Sequence, residues 1–163
     1  DNYQSYQFET LIHILQKKID VVSLLAGQNI HGKECLKLGG NKIKLIGYKS
    51  QRELSLLYNF CDLFVFPSKF EIGPQVVLEA KSCGTICVVS PDGGGKRIHK
   101  NGVDGLIIQK YDADEWGNQI LKLLKDKKKI SFMRNKILSE FQPKSWKNVY
   151  DEFFYKNWNE ILG

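Results

Sequence analysis

The sequence predicts an α/β fold in which a doubly wound parallel sheet is flanked by helices. Strand-like and helix-like segments alternate along nearly the whole chain, an order typical of parallel sheets. The run at 20–26 is apolar on both faces, as expected for a strand covered by helices on both sides. The 163 residues, 42% hydrophobic and 26% charged, suffice for one soluble domain with its own core.

The first half of the chain contains five predicted elements. Apolar residues at helical spacing predict a helix over 4–18. Three shorter elements follow: a strand over 20–26, a helix over 32–38 and a strand over 43–46. Ser50 with Glu53 three positions later predicts a capping box, which opens a helix that runs to Phe60.

The stretch at 62–102 organises the rest of the chain. It consists of a strand (63–66), a loop (67–73), a helix (74–83), a second strand (85–89) and a second loop (90–95). Two such units in tandem imply neighbouring parallel strands whose carboxyl ends lie on one edge of the sheet. Ligands bind at that edge in open α/β sheets.

The last part of the chain is predicted to be mainly helical. One or two helical turns (96–100) and a short strand (106–108) precede helices over 113–124, 130–141 and 146–162. Ser145 is the expected cap of the last helix, whose wide aromatic stripe is too apolar for a free surface. We expect the segment at 145–162 to pack on this domain or on a partner domain.

Charge and cysteine content limit the classes of function. The net charge of +6 is compatible with an anionic ligand, a membrane surface or nucleic acid and selects none of them. Much of it lies in 122–136, which is either a solvated helical face or a patch that rests on an anionic bilayer. The four cysteines form no C-x-x-C pair, so we expect free thiols in a reduced cytosol and no zinc site. No run of apolar residues is long enough to span a membrane.

Several polar residues are candidates for ligand binding at the predicted edge. Glu71, in the first loop, could accept hydrogen bonds from sugar hydroxyls or could be an ordinary solvated glutamate. Glu79 interrupts an apolar helix and needs donors, either ribose hydroxyls or a lysine such as Lys81 or Lys96. The loop Asp92-Gly93-Gly94-Gly95 lets backbone amides approach a phosphate, and Lys96 and Arg97 follow directly.

The histidines and the common catalytic motifs give no further candidate site. His13, His31 and His99 have no partners at metal-ligand spacing, and only His99 lies near the glycine loop. The chain contains neither a Walker phosphate loop nor a nucleophile-elbow motif.

The stretch that contains Glu71, Glu79 and the glycine loop resembles a motif of a known family. The motif is PSKFEIGPQVVLEAKSCGTICVVSPDGGG. It looks like the donor-site signature of retaining glycosyltransferases of group 1, or family 4, with the GT-B architecture of two Rossmann-like domains. The family pattern is a glutamate, seven residues and a second glutamate followed by alanine, here Glu71 and Glu79-Ala80. The resemblance extends from Phe8 to Leu162 and concerns the carboxyl-terminal, donor-binding domain, one half of that architecture.

The resemblance implies a role for each matching residue. Glu71 would be the catalytic-site residue that holds the hydroxyls of the donor sugar, and Glu79 would bind the ribose. Tyr48 and Leu54 would line the base pocket. The remaining donor contacts would come from Ile72, Gly73, Gln75, Val76, Gly93 and Gly94. Such enzymes move a sugar from a UDP- or GDP-linked donor to a hydroxyl of a glycan or lipid-linked glycan, without a cofactor or an obligatory metal. The family association suggests cytoplasmic synthesis of bacterial polysaccharide or lipopolysaccharide.

The chain departs from the family pattern in three ways. Pro74 stands where many members have glycine, and it has no N–H to donate. Arg97 stands where the family often has glutamate. The first strand of the domain and the acceptor domain fall outside the matched pattern, so we expect the isolated chain to be nearly inactive. Two alternatives stay open: a related sugar-nucleotide epimerase, and a non-catalytic basic binding module. Without a base-reading motif, nucleic acid is not an expected partner.

Overall fold

The computed structural model describes residues 12, 14–16, 20–28, 32–69, 71–98 and 100–162. The strands are β1 (Ser23–Ala26), β2 (Ile43–Gly47), β3 (Leu63–Phe66), β4 (Ile86–Val89) and β5 (Leu106–Ile107). The helices are α1 (Gly32–Gly39), α2 (Gln51–Phe60), α3 (Gln75–Ser82), α4 (Ala113–Lys125), α5 (Lys127–Glu140), α6 (Trp146–Val149) and α7 (Lys156–Leu162). The predicted α/β class is confirmed.

The strands pair in parallel and form two sheets where the sequence predicts one. β1 pairs with β2, and β4 lies between β3 and β5. Within the described ranges no ladder joins β1 to β3, so each of these strands keeps one unpaired edge. Leu15 and Val21, which precede β1, pack in the same cluster as Leu63 and Val65 of β3, whereas Leu25 of β1 and Ile43 of β2 pack in a separate cluster with Cys35.

The core is built on both faces of β4, whose four residues are all buried. Side chains of a strand point alternately to opposite faces. Ile86 and Val88 therefore pack against α4 and α5, whereas Cys87 and Val89 pack against α2 and α3. This arrangement of helices on both faces explains why the predicted strand has no polar side.

Local capping residues fix where the helices begin. The predicted capping box is present: Glu53 N donates to Ser50 Oγ at 3.3 Å, and Ser50 N donates to Glu53 Oε2 at 2.8 Å. Asp126 accepts from Lys129 N at 2.9 Å and starts α5 at Lys127, three residues before the predicted start. The sequence pattern missed this start because the first turn of α5 is entirely lysine and exposed.

Three further predictions about helices need correction or lie mostly outside the described chain. The predicted continuous helix at 146–162 is interrupted by a wider helical turn at Tyr150–Tyr155. The helical turns expected at 96–100 are one short 3-10 turn, Gly95–Arg97. Most of the predicted helix at 4–18 lies outside the described residues, although Ile12 and Leu15 are buried. No helix of the described chain is both long and apolar enough to cross a bilayer.

Candidate functional site

The carboxyl ends of β3, β4 and β5 lie side by side, and the loops that follow them are in contact. Ser90, directly after β4, donates through Oγ to the carbonyl oxygen of Ser68 in the loop after β3. The same hydroxyl accepts a hydrogen bond of 2.9 Å from Gly93 N. One buried serine therefore joins the two loops in which the sequence predicts donor-binding residues.

The glycines of the second loop are required by close packing. A Cβ at Gly93 would overlap the carbonyl oxygen of Ser68, and one at Gly94 would lie 2.9 Å from Cβ of Val89. Both residues are buried. The predicted phosphate-binding loop is thus pressed onto the end of the sheet, and a larger side chain would push it away.

A third loop reaches this edge through Tyr111, which the sequence reasoning missed. Tyr111 Oη donates to Asp92 Oδ2 at 2.8 Å, and Lys69 Nζ lies 5.3 Å from the centre of the Tyr111 ring. Burial and the hydrogen bond to Asp92 raise the pKa of Tyr111 above its ordinary value. The position of Tyr111 after β5 is the signal that could have placed it at this edge.

The loop that carries Glu71 is open to solvent on one side. Glu71 is exposed and Ile72 is 91% exposed, whereas Pro74 is buried at the start of α3. A Cβ at Gly73 would lie 3.1 Å from Arg97 Nη2. The structure therefore brings Arg97 from the turn after the glycine loop to the backbone of the Glu71 loop, while Lys96 in the same turn is exposed.

Glu79 is half-buried and lies near α2. Burial, followed by the nearby carboxylate of Glu79, raises the pKa of Tyr58 to about 12. Glu79 also raises the pKa of Cys83, although burial is the larger cause there. The alternative partner Lys81 points elsewhere, because its ammonium pairs with Asp104 at 2.8 Å.

The other predicted contact residues lie directly after β2, on α2 and in the first turn of α3. Tyr48 is 76% exposed beyond β2, and Gln75 is exposed in the first turn of α3. Leu54 and Val76 are half-buried and pack against the cluster of Tyr58, Val77 and Ala80. The structure records no contact between Glu71 and Glu79 among the described residues, so their joint action on a ligand stays a prediction.

The side chains that commonly bind metals do not cluster in the described part of the chain. It contains no group of three or more histidine, cysteine, aspartate or glutamate side chains that could hold an ion. All four cysteines are free thiols. His13, His31 and His99 lie outside the described residues.

Two exposed surfaces lie away from this edge. The lysines at 122, 125 and 127–129 are exposed, whereas Arg134 donates to Asn59 O at 2.7 Å and Lys136 pairs with Glu140 at 2.5 Å. The helical segment at 146–162 exposes a row of large apolar side chains: Trp146, Tyr150, Phe153, Phe154, Tyr155, Trp158 and Ile161. These side chains are 55–83% exposed, and Lys144 Nζ lies 5.1 Å from the centre of the Phe153 ring.

Solved structures with the same fold include a sucrose-phosphate synthase and the C-terminal domain of a group 1 glycosyl transferase. Sucrose-phosphate synthase from Thermosynechococcus elongatus superposes with a TM-score of 0.77 at 20% identity, over 99% of this chain and 43% of that one. The Anabaena protein HepE, solved in complex with UDP-glucose, gives 0.70 at 21% identity, over 85% and 40%. The C-terminal domain of a group 1 glycosyl transferase from Francisella tularensis gives 0.73 at 17% identity, over 94% and 81%.

Curated relatives point to the same family. One is a UDP-Gal:alpha-D-GlcNAc-diphosphoundecaprenol alpha-1,3-galactosyltransferase of Escherichia coli, 33% identical over 61% of this chain and 26% of that protein. Another is an uncharacterized glycosyltransferase of Methanocaldococcus jannaschii, 32% identical over 79% of this chain and 34% of that protein. The chain thus spans between a quarter and a third of these relatives. Residues 4–137 match the sequence profile described as "Glycosyl transferases group 1". The chain belongs to the group 1 family of glycosyl transferases.

Proposed function

We propose that this chain is the carboxyl-terminal, donor-binding domain of a retaining glycosyltransferase that uses a nucleoside-diphosphate sugar. The observation that carries the proposal is the meeting of three groups at one sheet edge: the Glu71 loop, the Gly93-Gly94 loop and the Arg97 guanidinium. Carboxylate acceptors suit sugar hydroxyls, and amide and guanidinium donors suit phosphate oxygens. The same ligand class is supported by HepE, whose structure was solved with UDP-glucose bound.

The roles divide between the reacting sugar and the leaving nucleotide. Glu71 accepts hydrogen bonds from the hydroxyls of the sugar, and the backbone at Ile72 and Gly73 faces the sugar and the diphosphate. Lys96 and Arg97 balance the charge of the UDP or GDP leaving group, so no metal is obligatory. The bond from the anomeric carbon to the diphosphate breaks, a bond to the acceptor oxygen forms, and the hydroxyl proton leaves with the diphosphate. Stabilising charge that develops on the leaving group is a large term in such transfers.

The nucleoside lies on the α2 and α3 side of this sheet edge. Glu79, next to Tyr58 of α2, binds the ribose, and Tyr48, Leu54, Gln75 and Val76 contact the base and the remaining donor surface. Leu54 and Val76 present apolar surface already held by the core, which suits the face of a base.

The names of two relatives support the proposed acceptor class. The curated names of two of them, from Escherichia coli and Campylobacter jejuni, include diphospho-undecaprenol acceptors. We infer a hexosyltransferase that extends a lipid-linked glycan in the synthesis of a bacterial surface polysaccharide or lipopolysaccharide. The enzyme works in the cytoplasm at the inner face of the membrane, where such acceptors present their headgroups.

A second domain and a membrane complete the working enzyme in this proposal. The exposed aromatic row at 146–162 packs on the amino-terminal, acceptor-binding domain, because so large an apolar surface favours burial. The exposed lysines at 122, 125 and 127–129 rest on anionic headgroups. The chain alone binds a nucleotide weakly and transfers little sugar, since the cleft needs both domains.

Titration with UDP, GDP and a short DNA duplex tests the proposal, using the full-length protein and its Glu79→Ala variant. We expect micromolar to millimolar binding of one nucleoside diphosphate that is weakened by Glu79→Ala, and transfer from the matching sugar nucleotide with retained anomeric configuration. Conversion of the sugar nucleotide without an acceptor would instead identify the epimerase. Steeply salt-dependent DNA binding without a nucleotide effect would identify the basic binding module.

A further inference from the structure

Lys81 is a buried lysine on the helix that starts at the proposed donor site. Its side chain is 0% exposed, and its Nζ lies 2.8 Å from Asp104 Oδ2. The same ammonium donates to the carbonyl oxygen of Arg97 at 2.8 Å and lies 4.6 Å from the centre of the Phe141 ring. Burying an ammonium is costly unless it is paired and hydrogen-bonded, so these contacts hold Lys81 in one position.

Asp104 links the buried Lys81 ammonium to the loop before β5. Its Oδ1 accepts a hydrogen bond of 2.7 Å from Lys100 N, while Gly102 N closes the same loop on Gly105 O at 2.7 Å. Lys81 and Asp104 therefore bind α3 to both sides of the segment between β4 and β5. Such a pair stabilises one arrangement of the loops, since loss of either partner leaves the other charge without its counterpart.

The segment held in this way carries Arg97 to the Glu71 loop. The Arg97 guanidinium lies against the backbone at Gly73, where an added Cβ would be 3.1 Å from Nη2. Throughout the described ranges, no hydrogen bond or ion pair of this half-buried guanidinium is present. Pro74, the residue after Gly73, has no N–H group. The start of α3 therefore offers an anion one backbone amide fewer. The five N–H donors of Arg97 stand beside that position.

We propose that Lys81 is a positioning residue that, together with Asp104, holds Arg97 at the start of α3, where the guanidinium binds the diphosphate of the donor. The inference rests on the proposed function and adds to it the residues that orient the phosphate-binding cation. Fixing the Arg97 backbone matters because a guanidinium binds phosphate oxygens through two parallel hydrogen bonds, which require a defined direction.

Calorimetric binding to the full-length protein tests the proposal with two ligands. One is whichever of UDP, GDP and ADP the wild type binds most tightly, and the other is its nucleoside, measured by competition. We expect Arg97→Ala and Lys81→Met each to weaken diphosphate binding by about 10-fold, while nucleoside binding stays within about 2-fold. The double variant should bind no more weakly than Arg97→Ala alone, because Lys81 acts through Arg97.

Two further variants separate positioning from folding. Lys81→Met/Asp104→Leu removes both charges together and provides a folded variant if Lys81→Met alone unfolds. Ile43→Val in β2 lowers stability in the separate cluster of Cys35 and Leu25, and this variant should bind both ligands like the wild type.

Three outcomes would overturn the inference. The first is a folded variant without Lys81 that binds the diphosphate as tightly as the wild type. The second is an equal loss of affinity for the diphosphate and for the nucleoside. The third is that the losses of affinity caused by the Lys81 and Arg97 substitutions add in the double variant. A wild-type protein that binds none of the three diphosphates would refute the proposed function itself, and the inference with it.

Discussion

Tyr111 donates a hydrogen bond of 2.8 Å to Asp92 Oδ2, and this bond joins the loop after β5 to the loop after β4. The two residues are 19 positions apart in the sequence. Lys69, from the loop after β3, lies over the Tyr111 ring, so all three loops of this edge contribute to one polar contact. The edge of the sheet is therefore held together by specific bonds as well as by the apolar core beneath it.

Tyr111→Phe should lower the free energy of unfolding by at most about 1 kcal/mol, because it removes an exposed hydrogen bond to a carboxylate. Asp92→Asn should cost less, and the two changes should not be additive, since they break the same bond. Urea unfolding of the single and double variants measures this. Tyr48→Phe is the matched control, because the exposed Tyr48 side chain should contribute little to stability. Additive effects would contradict the coupling.

Gly93→Ala should destabilise the protein by about 1–3 kcal/mol, because the new Cβ would overlap the Ser68 carbonyl and force the two loops apart. Gly95→Ala is the control in the same loop, since its Cβ would lie 3.4 Å from Ser90 O, an ordinary contact. We expect the control to change stability by less than about 0.5 kcal/mol. Thermal and urea unfolding distinguish the two, and equal stabilities would argue against the close packing of Gly93.

Glu71→Ala in the full-length enzyme should reduce sugar transfer by at least about 100-fold with little loss of nucleotide binding. The proposed contacts of Glu71 are to the sugar, so removing them should affect the transfer step more than affinity for the nucleotide. Transfer rates and nucleotide titration measure the two effects separately. Asp114→Ala, in the exposed first turn of α4, should leave both unchanged. A fully active Glu71→Ala variant would refute the role.

Cys87 should make stability fall as the pH rises above 9. Burial raises the pKa of its thiol to about 12, whereas the thiol of the unfolded chain titrates near 9. A raised pKa in the folded state means that the folded protein holds a proton that the unfolded chain releases. The contribution of this thiol to the free energy of unfolding is therefore fully present below pH 9 and is lost between pH 9 and pH 12. At pH 10 the loss from this group is on the order of 1 kcal/mol.

Urea unfolding at pH 8 and pH 10 checks this dependence in the wild type and in Cys87→Ala. Cys87→Ala should be less stable than the wild type at both pH values, because it leaves a cavity next to Val77. Its free energy of unfolding should nevertheless fall less between pH 8 and pH 10 than that of the wild type, by the amount given above. Cys35→Ala is a matched thiol control from the cluster of the other sheet, and Cys83 remains unchanged in all variants. Equal pH dependence in wild type and Cys87→Ala would contradict the shifted pKa.

Much of the fold could be predicted from local patterns. The strands β3 and β4 follow from apolar runs, and α2 follows from Ser50 and Glu53, because a capping box depends only on residues three positions apart. The candidate loops were also predictable, since parallel strands place their carboxyl ends on one edge. Where prediction failed locally, as at the start of α5, an exposed lysine run gave no apolar period to recognise.

The α/β class, the order of the elements and the loops that carry Glu71 and the glycines all follow from the amino-acid sequence alone. The folded chain was needed to see that the strands form two sheets, that Lys81 pairs with Asp104 rather than Glu79, and that Arg97 lies against Gly73. This division arises from distance along the chain. Periodicity and capping act over three or four residues, whereas these pairings join distant segments whose meeting depends on how the helices pack on β4.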